Sequence, residues 1–120
     1  VIIFPYYWKY QNIDNMMNTE LAVKQLAALA QSNRLAIYRA LVVAGETGKT
    51  PNELIALLGL ANATLSFHLK TLQQADLIRV EQQGRFLHYR ANYPVMNELL
   101  AFLTENCCQG QPCEITTSCC

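Results

Sequence analysis

The chain has 120 residues, of which 52% are apolar, and its nine basic and nine acidic side chains leave no formal net charge at pH 7. This length supplies one hydrophobic core and not two, so we expect one domain with tails. Zero net charge argues against a protein that coats nucleic acid non-specifically. All five cysteines lie in the last fourteen residues, so they cannot form the disulfide framework of a small secreted domain.

The first sixteen residues form an N-terminal extension. Residues 1–10 are apolar and aromatic but have no basic start and no small-residue cleavage site, so they do not resemble a signal peptide. The extension is either a segment upstream of the natural start or an arm that packs on a partner. No stretch approaches the roughly 20 apolar residues of a membrane span. We therefore expect a cytoplasmic protein with no membrane partner.

Hydrophobic spacing predicts two helices before residue 45. The first runs from about residue 19 to 30, and the second follows Ser32, a plausible N-cap, and ends at Gly45. The apolar stripe of the first helix is formed by Ala22, Leu26 and Leu29. That of the second helix is formed by Leu35, Tyr38, Leu41 and Val42. Both stripes indicate a face that packs against other elements.

A helix-turn-helix is predicted from residue 50 onward. Residues 50–53, Thr-Pro-Asn-Glu, are typical of a capping box at the start of a third helix. Gly59 can end that helix with a positive φ. After a turn of about three residues, Asn62 can cap a fourth helix. The residues expected to point inward from the third helix are Leu54, Leu57 and Leu58.

The fourth helix has two different faces. Its inner face is formed by Leu65, Leu69 and Leu72, and its outer face by Ala63, Ser66, Phe67 and Lys70. On a merely packed helix, Phe67 would be exposed without purpose, so we expect the outer face to contact DNA in the major groove. His68 lies about 60° from the core centre. A structural or phosphate-binding role fits it better than a metal ligand.

A β-hairpin and a last helix complete the predicted domain. Residues 77–81 and 85–90 are short runs rich in β-branched or aromatic residues, joined across residues 82–84. A hairpin after a helix-turn-helix is a wing, and Arg85 at its tip either enters a minor groove, clamps a phosphate or is merely solvated. Pro94 can open the last helix. Its stripe, too apolar for a free surface, is formed by Met96, Leu99, Leu100 and Leu103.

The segment from Ala61 to Leu72, ANATLSFHLKTL, and the following Ala75 to Ile78, ADLI, resemble the ArsR/SmtB family of metal-responsive repressors. The resemblance covers roughly residues 21–103 and implies a mainly α fold with a small β-hairpin, a winged helix-turn-helix that works as a homodimer. Residues 31–34 lack the family's frequent Asp-Pro. A larger departure is that residues 52–58 contain no cysteine, whereas arsenic-responsive members resemble one another in having cysteines there.

The resemblance also implies double-stranded operator DNA as the partner. Hydroxyl groups can bind phosphates or base edges, apolar side chains can meet thymine methyls, and Lys70 supplies charge against phosphate. The predicted DNA-binding residues are Asn62, Ala63, Thr64, Ser66, Phe67, His68, Lys70 and Arg85. The predicted dimerisation residues are Leu26, Met96, Leu99, Leu100 and Leu103.

The cysteines predict a sensor. Cys107, Cys108 and Cys113 place three thiols within seven residues, and thiolates select soft ions. Three sulfurs suit trivalent arsenic or antimony, so we expect arsenite or antimonite as inducer. Zinc, cadmium or lead with a fourth thiol from Cys119 or Cys120, and thiol oxidation, are the alternatives.

We expect three segments: the extension (1–16), the DNA-binding and dimerisation domain (17–106) and a cysteine-rich tail (107–120). An enzyme is disfavoured, because a catalytic thiol is usually activated by a helix N-terminus or a cation. Here the thiols follow a helix C-terminus near Glu98 and Glu105. The predicted function is that of a repressor that leaves its operator when the metalloid binds.

Overall fold

The computed structural model describes residues 17–110. The N-terminal extension, Cys113, Cys119 and Cys120 lie outside the described residues. In chain order the elements are α1 (Thr19–Leu29), α2 (Ser32–Ala44), α3 (Pro51–Leu58), α4 (Asn62–Gln74), β1 (Ile78–Gln83), β2 (Phe86–Ala91) and α5 (Tyr93–Leu103). Short 3-10 turns occupy Gly45–Thr47 and Cys107–Gly110. The prediction of a mainly α fold with one hairpin is confirmed.

The ends of α3 are those that the sequence predicts. The side chain of Thr50 accepts a hydrogen bond from the N–H of Glu53 (3.3 Å), and the carboxylate of Glu53 accepts one from the N–H of Thr50 (2.9 Å). The second bond lowers the pKa of Glu53, because the N–H stabilises the charged carboxylate. Gly59 ends the helix in the left-handed conformation, and its N–H bonds the carbonyl of Ile55.

Two other predicted caps are wrong by one residue. The N-cap of α2 is Gln31, whose side-chain oxygen accepts from the N–H of Arg34 at 2.9 Å, so Ser32 is already helical. The N-cap of α4 is Ala61, which has extended backbone angles and makes no side-chain bond. Asn62 is therefore the first residue of the helix. The sequence favoured Ser and Asn because they are common caps, but backbone geometry decides the position.

The core lies where α2, α3 and α4 meet the start of the hairpin. Its largest fully buried apolar side chains are Ile37, Leu41, Leu54, Leu65, Leu72 and Leu77. Leu35 and Leu57 were expected inside but are largely exposed. Leu35 lies about 200° around the helix from Ile37, so α2 cannot bury both. α3 instead packs through Leu54 and Leu58, which leaves Leu57 beside α2.

The buried face of α1 also differs from the prediction. Ala22, Gln25 and Ala28 are buried, whereas Leu26 is exposed and Leu29 is half-buried. Small residues let α1 approach α4 closely enough for the side-chain N–H of Gln25 to bond the carbonyl of Ala75 at 3.3 Å. Leu26 is therefore not a core residue.

The hairpin is antiparallel, with Gln83 opposite Phe86, so two residues, Gly84 and Arg85, form the turn. The turn predicted at residues 82–84 begins two residues too early, because Gln82 and Gln83 continue the strand. Lys49 and Tyr89 exchange backbone hydrogen bonds of 2.9 and 2.8 Å. This bridge attaches the hairpin to the segment that precedes α3.

Between residues 17 and 110, no single helix is long and apolar enough to cross a membrane. α3 and α4 have the length and apolar composition of a membrane span only when they are taken together. Their axes are bent by 113° at the turn between them. The apolar side of α4 is buried in the core.

We predict that Gly48→Ala destabilises the fold more than Gly45→Ala does. Both glycines have a positive φ (69° and 74°) with extended ψ, a region that costs other residues about 1 to 3 kcal/mol. A Cβ at Gly45 would meet open space, whereas one at Gly48 would overlap the carbonyl oxygen of Tyr89. Overpacking adds about 1 to 3 kcal/mol. Urea unfolding followed by circular dichroism measures both variants, and equal losses would contradict the close approach.

Candidate nucleic-acid interface

The outer face of α4 is presented to solvent as predicted. Ala63, Ser66, Phe67 and Lys70 are exposed, together with Asn62, and Thr64 is half-buried. Phe67 leaves 63% of its surface in contact with solvent. The opposite face fixes this orientation, because the side chains of Leu65, Leu69 and Leu72 are each at most 3% exposed. A large aromatic ring beside small polar residues and one lysine forms a surface suited to a major groove.

The two helices before the hairpin have helix-turn-helix geometry. The axes of α3 and α4 are bent by 113° at a turn of three residues, within the range of about 90–120° for this motif. The capping box and Gly59 set the two ends of α3, and thus the point from which α4 starts. α4 therefore has the position of the second helix of such a motif.

His68 lies apart from the outer face. It is only 7% exposed, and its Nδ1 lies 3.4 Å from Nη1 of Arg34 in α2. Burial lowers the pKa of His68, and the charge of Arg34 lowers it further. Its ring meets that of Phe67 edge-on, with 5.4 Å between centroids. The contact with Arg34 is consistent with a structural role for His68. Direct contact of His68 with DNA stays a prediction.

The wing presents one arginine at its tip. Arg90 is bound to Glu46 (3.1 Å) and Glu81, and Arg79 donates to Asn92. In the part of the chain that the structure describes, Arg85 is thus the wing arginine left to meet a phosphate. Phe86 and Leu87 next to it are also exposed. These two apolar residues were not singled out by the sequence analysis. Their position within three residues of the turn glycine, Gly84, could have indicated that they lie near the tip of the wing.

The fold and sequence match known regulators. A family model described as a helix-turn-helix domain matches residues 29–81. The ArsR-like transcriptional regulator from Rhodococcus sp. RHA1 has a TM-score of 0.68 at 23% identity, over 76% of this chain and 83% of that one. A crystallised possible transcriptional regulator for arsenical resistance is 30% identical, with a TM-score of 0.58, over 67% of this chain and 80% of that one. The chain belongs to the ArsR family.

One solved structure with a similar fold is described as a homodimer. The homodimeric winged helix-turn-helix DNA-binding domain of Mb0332 from Mycobacterium bovis has a TM-score of 0.59 at 18% identity, over 80% of this chain and 89% of that one. The comparison with curated proteins gave no match. Because ArsR proteins are DNA-binding transcriptional regulators, the prediction that the chain is not an enzyme is confirmed.

The last helix of this ArsR protein, α5, contacts the core at its start and has exposed leucines near its end. The hydroxyl of Tyr93 donates to the carbonyl of Val42 at 2.7 Å, and Leu99 is buried. Met96 is half-buried, whereas Leu100 and Leu103 are exposed. Of the predicted dimerisation residues, the ones available to a partner are thus Leu26, Leu100 and Leu103, with part of Met96.

The predicted sensor cysteines are placed in part. Cys107 is half-buried and Cys108 is exposed in the 3-10 turn that closely follows α5. Within residues 17–110, no group of three or more His, Cys, Asp or Glu side chains is arranged to hold a metal ion. Cys113, the third predicted ligand, lies outside the described residues. The three-thiol site therefore stays a prediction.

We predict that Lys70→Ala weakens DNA binding on any sequence and reduces the salt dependence of binding. A lysine that contacts phosphate releases a counterion, so the slope of log affinity against log salt should fall by about one. Fluorescence anisotropy on the protein's own promoter fragment and on an unrelated duplex measures both effects. Lys24→Ala removes an exposed lysine of α1 and serves as control. An unchanged slope for Lys70→Ala would remove this lysine from the interface.

Proposed function

We propose that this ArsR protein is a homodimeric repressor that leaves its operator when trivalent arsenic or antimony binds Cys107, Cys108 and Cys113. The observation that carries the proposal is the position of the adjacent thiols: they follow α5 just beyond its exposed Leu100 and Leu103. A similar protein, 30% identical, is described as a possible regulator for arsenical resistance.

The chemistry of the three thiols suits a pyramidal metalloid. Soft thiolates select soft ions, and trivalent arsenic takes three sulfur ligands. Cys108 is exposed to an incoming ligand. Four residues separate it from Cys113, so the Cα atoms of the two cysteines can lie at most about 18 Å apart. One chain can therefore supply the whole site.

A dimer is proposed because one winged helix makes few DNA contacts. Two copies related by a two-fold axis contact half-sites about one helical turn apart. The exposed apolar side chains of the two terminal helices offer the surface for it: Val23, Leu26, Leu100 and Leu103. The similar fold of Mb0332 is described as homodimeric.

In this proposal, ligand binding changes the affinity for DNA by moving α5. Its first half is tied to the core by Tyr93, so a ligand at the thiols acts on the second half. Ordering the turn after α5 shifts Leu100 and Leu103 in the dimer surface and changes the distance between the two α4 helices. A coupling free energy of about 3 kcal/mol lowers DNA affinity more than a hundredfold.

We predict that arsenite releases the reduced protein from its own promoter DNA and that any one of Cys107→Ser, Cys108→Ser or Cys113→Ser abolishes release. DNA affinity without arsenite should stay unchanged, because none of these cysteines belongs to α4. A mobility-shift titration measures both properties, and Cys119→Ser and Cys120→Ser are matched controls that should still respond.

Other outcomes identify the alternatives. Release by zinc, cadmium or lead but not by arsenite would make the protein a soft-metal sensor of the same fold. Release by peroxide alone would indicate a thiol-redox sensor. A reduced protein that ignores the promoter DNA would overturn the repressor proposal.

We predict that Leu103→Glu separates the dimer, because a buried carboxylate in an apolar interface is unpaired and costly. Val43→Glu places the same charge on α2, where the side chain is 86% exposed, and should leave assembly unchanged. Sedimentation velocity at micromolar concentration distinguishes the two variants. A Leu103→Glu protein that sediments like the wild type would exclude this face of α5 from the interface.

A further inference from the structure

The guanidinium of Arg34 in α2 contacts both α1 and α4. Nε of Arg34 donates to the carbonyl of Ala28 in the last turn of α1 at 2.6 Å, and Nη1 of the same side chain approaches Nδ1 of His68 in α4 at 3.4 Å. The backbone N–H of Arg34 is bound by the cap of its own helix, Gln31. We call the contacts of Arg34 with Ala28 and His68 the Arg34–His68 clasp.

The clasp satisfies groups that the helices would leave without partners. α1 ends at Leu29, so the carbonyl of Ala28 has no helical N–H to accept, and a cation at a helix C-terminus is favourable. Arginine is always charged and can only donate, so the contact with His68 needs the lone pair of Nδ1. His68 must then be neutral, with its proton on Nε2.

We propose that Arg34 and His68 are positioning residues that hold α4 against α1 and α2 in the orientation that binds DNA. The connection to the DNA-binding surface is direct, since the ring of His68 meets the exposed ring of Phe67 edge-on. A displaced His68 withdraws this support from Phe67. The inference rests on the DNA-binding part of the proposed function.

Protonation of His68 would break the clasp. An imidazolium offers N–H groups at both nitrogens, so it would set a donor against a donor and a positive charge against Arg34. Among the described residues, Arg34 is the charged group whose field lowers the pKa of His68; α1 brings the neutral carbonyl of Ala28, and α4 the Phe67 ring. DNA affinity should therefore be full near pH 7.5 and fall as acid protonates His68.

Two substitutions separate the clasp from simple packing. His68→Asn keeps an acceptor at the position of Nδ1 and does not titrate, whereas His68→Leu keeps apolar bulk without an acceptor. We expect His68→Leu to bind promoter DNA at least about tenfold more weakly than wild type at pH 7.5, the effect of losing a hydrogen bond to a charged group. His68→Asn should bind within about threefold of wild type by the same measure. Thermal melts identify loss of fold.

The pH profile is the second readout. Between pH 7.5 and 4.5 the wild type should lose affinity at the acid end, because the pKa of His68 is lowered from its usual value, and His68→Asn should not lose affinity. His88 in the wing is the other histidine of the sequence, so His88→Asn is the control that should keep the wild-type loss. Equal affinities for the Asn and Leu variants, or a flat wild-type profile, would overturn the clasp while leaving the repressor proposal intact.

A third readout needs no DNA. In the nitrogen NMR spectrum of the reduced protein, His68 should carry its proton on Nε2, and Arg34→Met should raise the pKa of His68 and shift the amide signals of α4. An unchanged pKa and unchanged α4 signals would overturn the clasp. If the wild type bound no promoter fragment at any pH, the proposed function would fail, and this spectrum would still decide the clasp.

Discussion

The burial of three leucines on one side of α4 controls the rest of the DNA-binding surface. Leu65, Leu69 and Leu72 are almost fully buried, and each such side chain contributes about 1.5 to 3 kcal/mol to folding. Rotating α4 by one residue, about 100°, would expose these leucines and bury Lys70. The helix thus has one stable orientation, and the exposure of Phe67 and Lys70 is a consequence of what the other face buries.

Features set by neighbouring residues could be predicted from the sequence, and features set by distant ones could not. The capping box at Thr50 and the two faces of α4 depend on residues within a few positions of one another, so spacing was sufficient. Leu57 was misplaced because its exposure depends on how α3 meets α2. The contact of Arg34 with His68 joins residues 34 positions apart, and no local pattern indicates it.

The wing is held in place by the burial of Ile78 and Ala91 in the core and by backbone contacts. The bridge between Lys49 and Tyr89 passes so close to Gly48 that a side chain there would overlap the hairpin. The ion pairs of Arg90 with Glu46 and Glu81 add to this attachment, but both carboxylates are mostly exposed, so each pair contributes about 1 kcal/mol or less. The bridge therefore helps to set where the hairpin lies relative to α3, and thus where Arg85 lies relative to α4.

The beginning and the end of α5 differ in how firmly they pack on their own protomer. This difference constrains how the proposed release from DNA can work. The first half of α5 is fixed by Tyr93, and Leu99 in the second half is buried, whereas Leu100 and Leu103 are exposed. A ligand on Cys107 and Cys108 therefore cannot act on α4 through the core without moving the fixed half. Movement of the helix end beyond Leu99 disturbs less packing within one protomer, because Leu100 and Leu103 are already exposed. In the proposed repressor, the effect of the ligand would then be transmitted where Leu100 and Leu103 meet a second copy, so the proposed sensing depends on the proposed dimer.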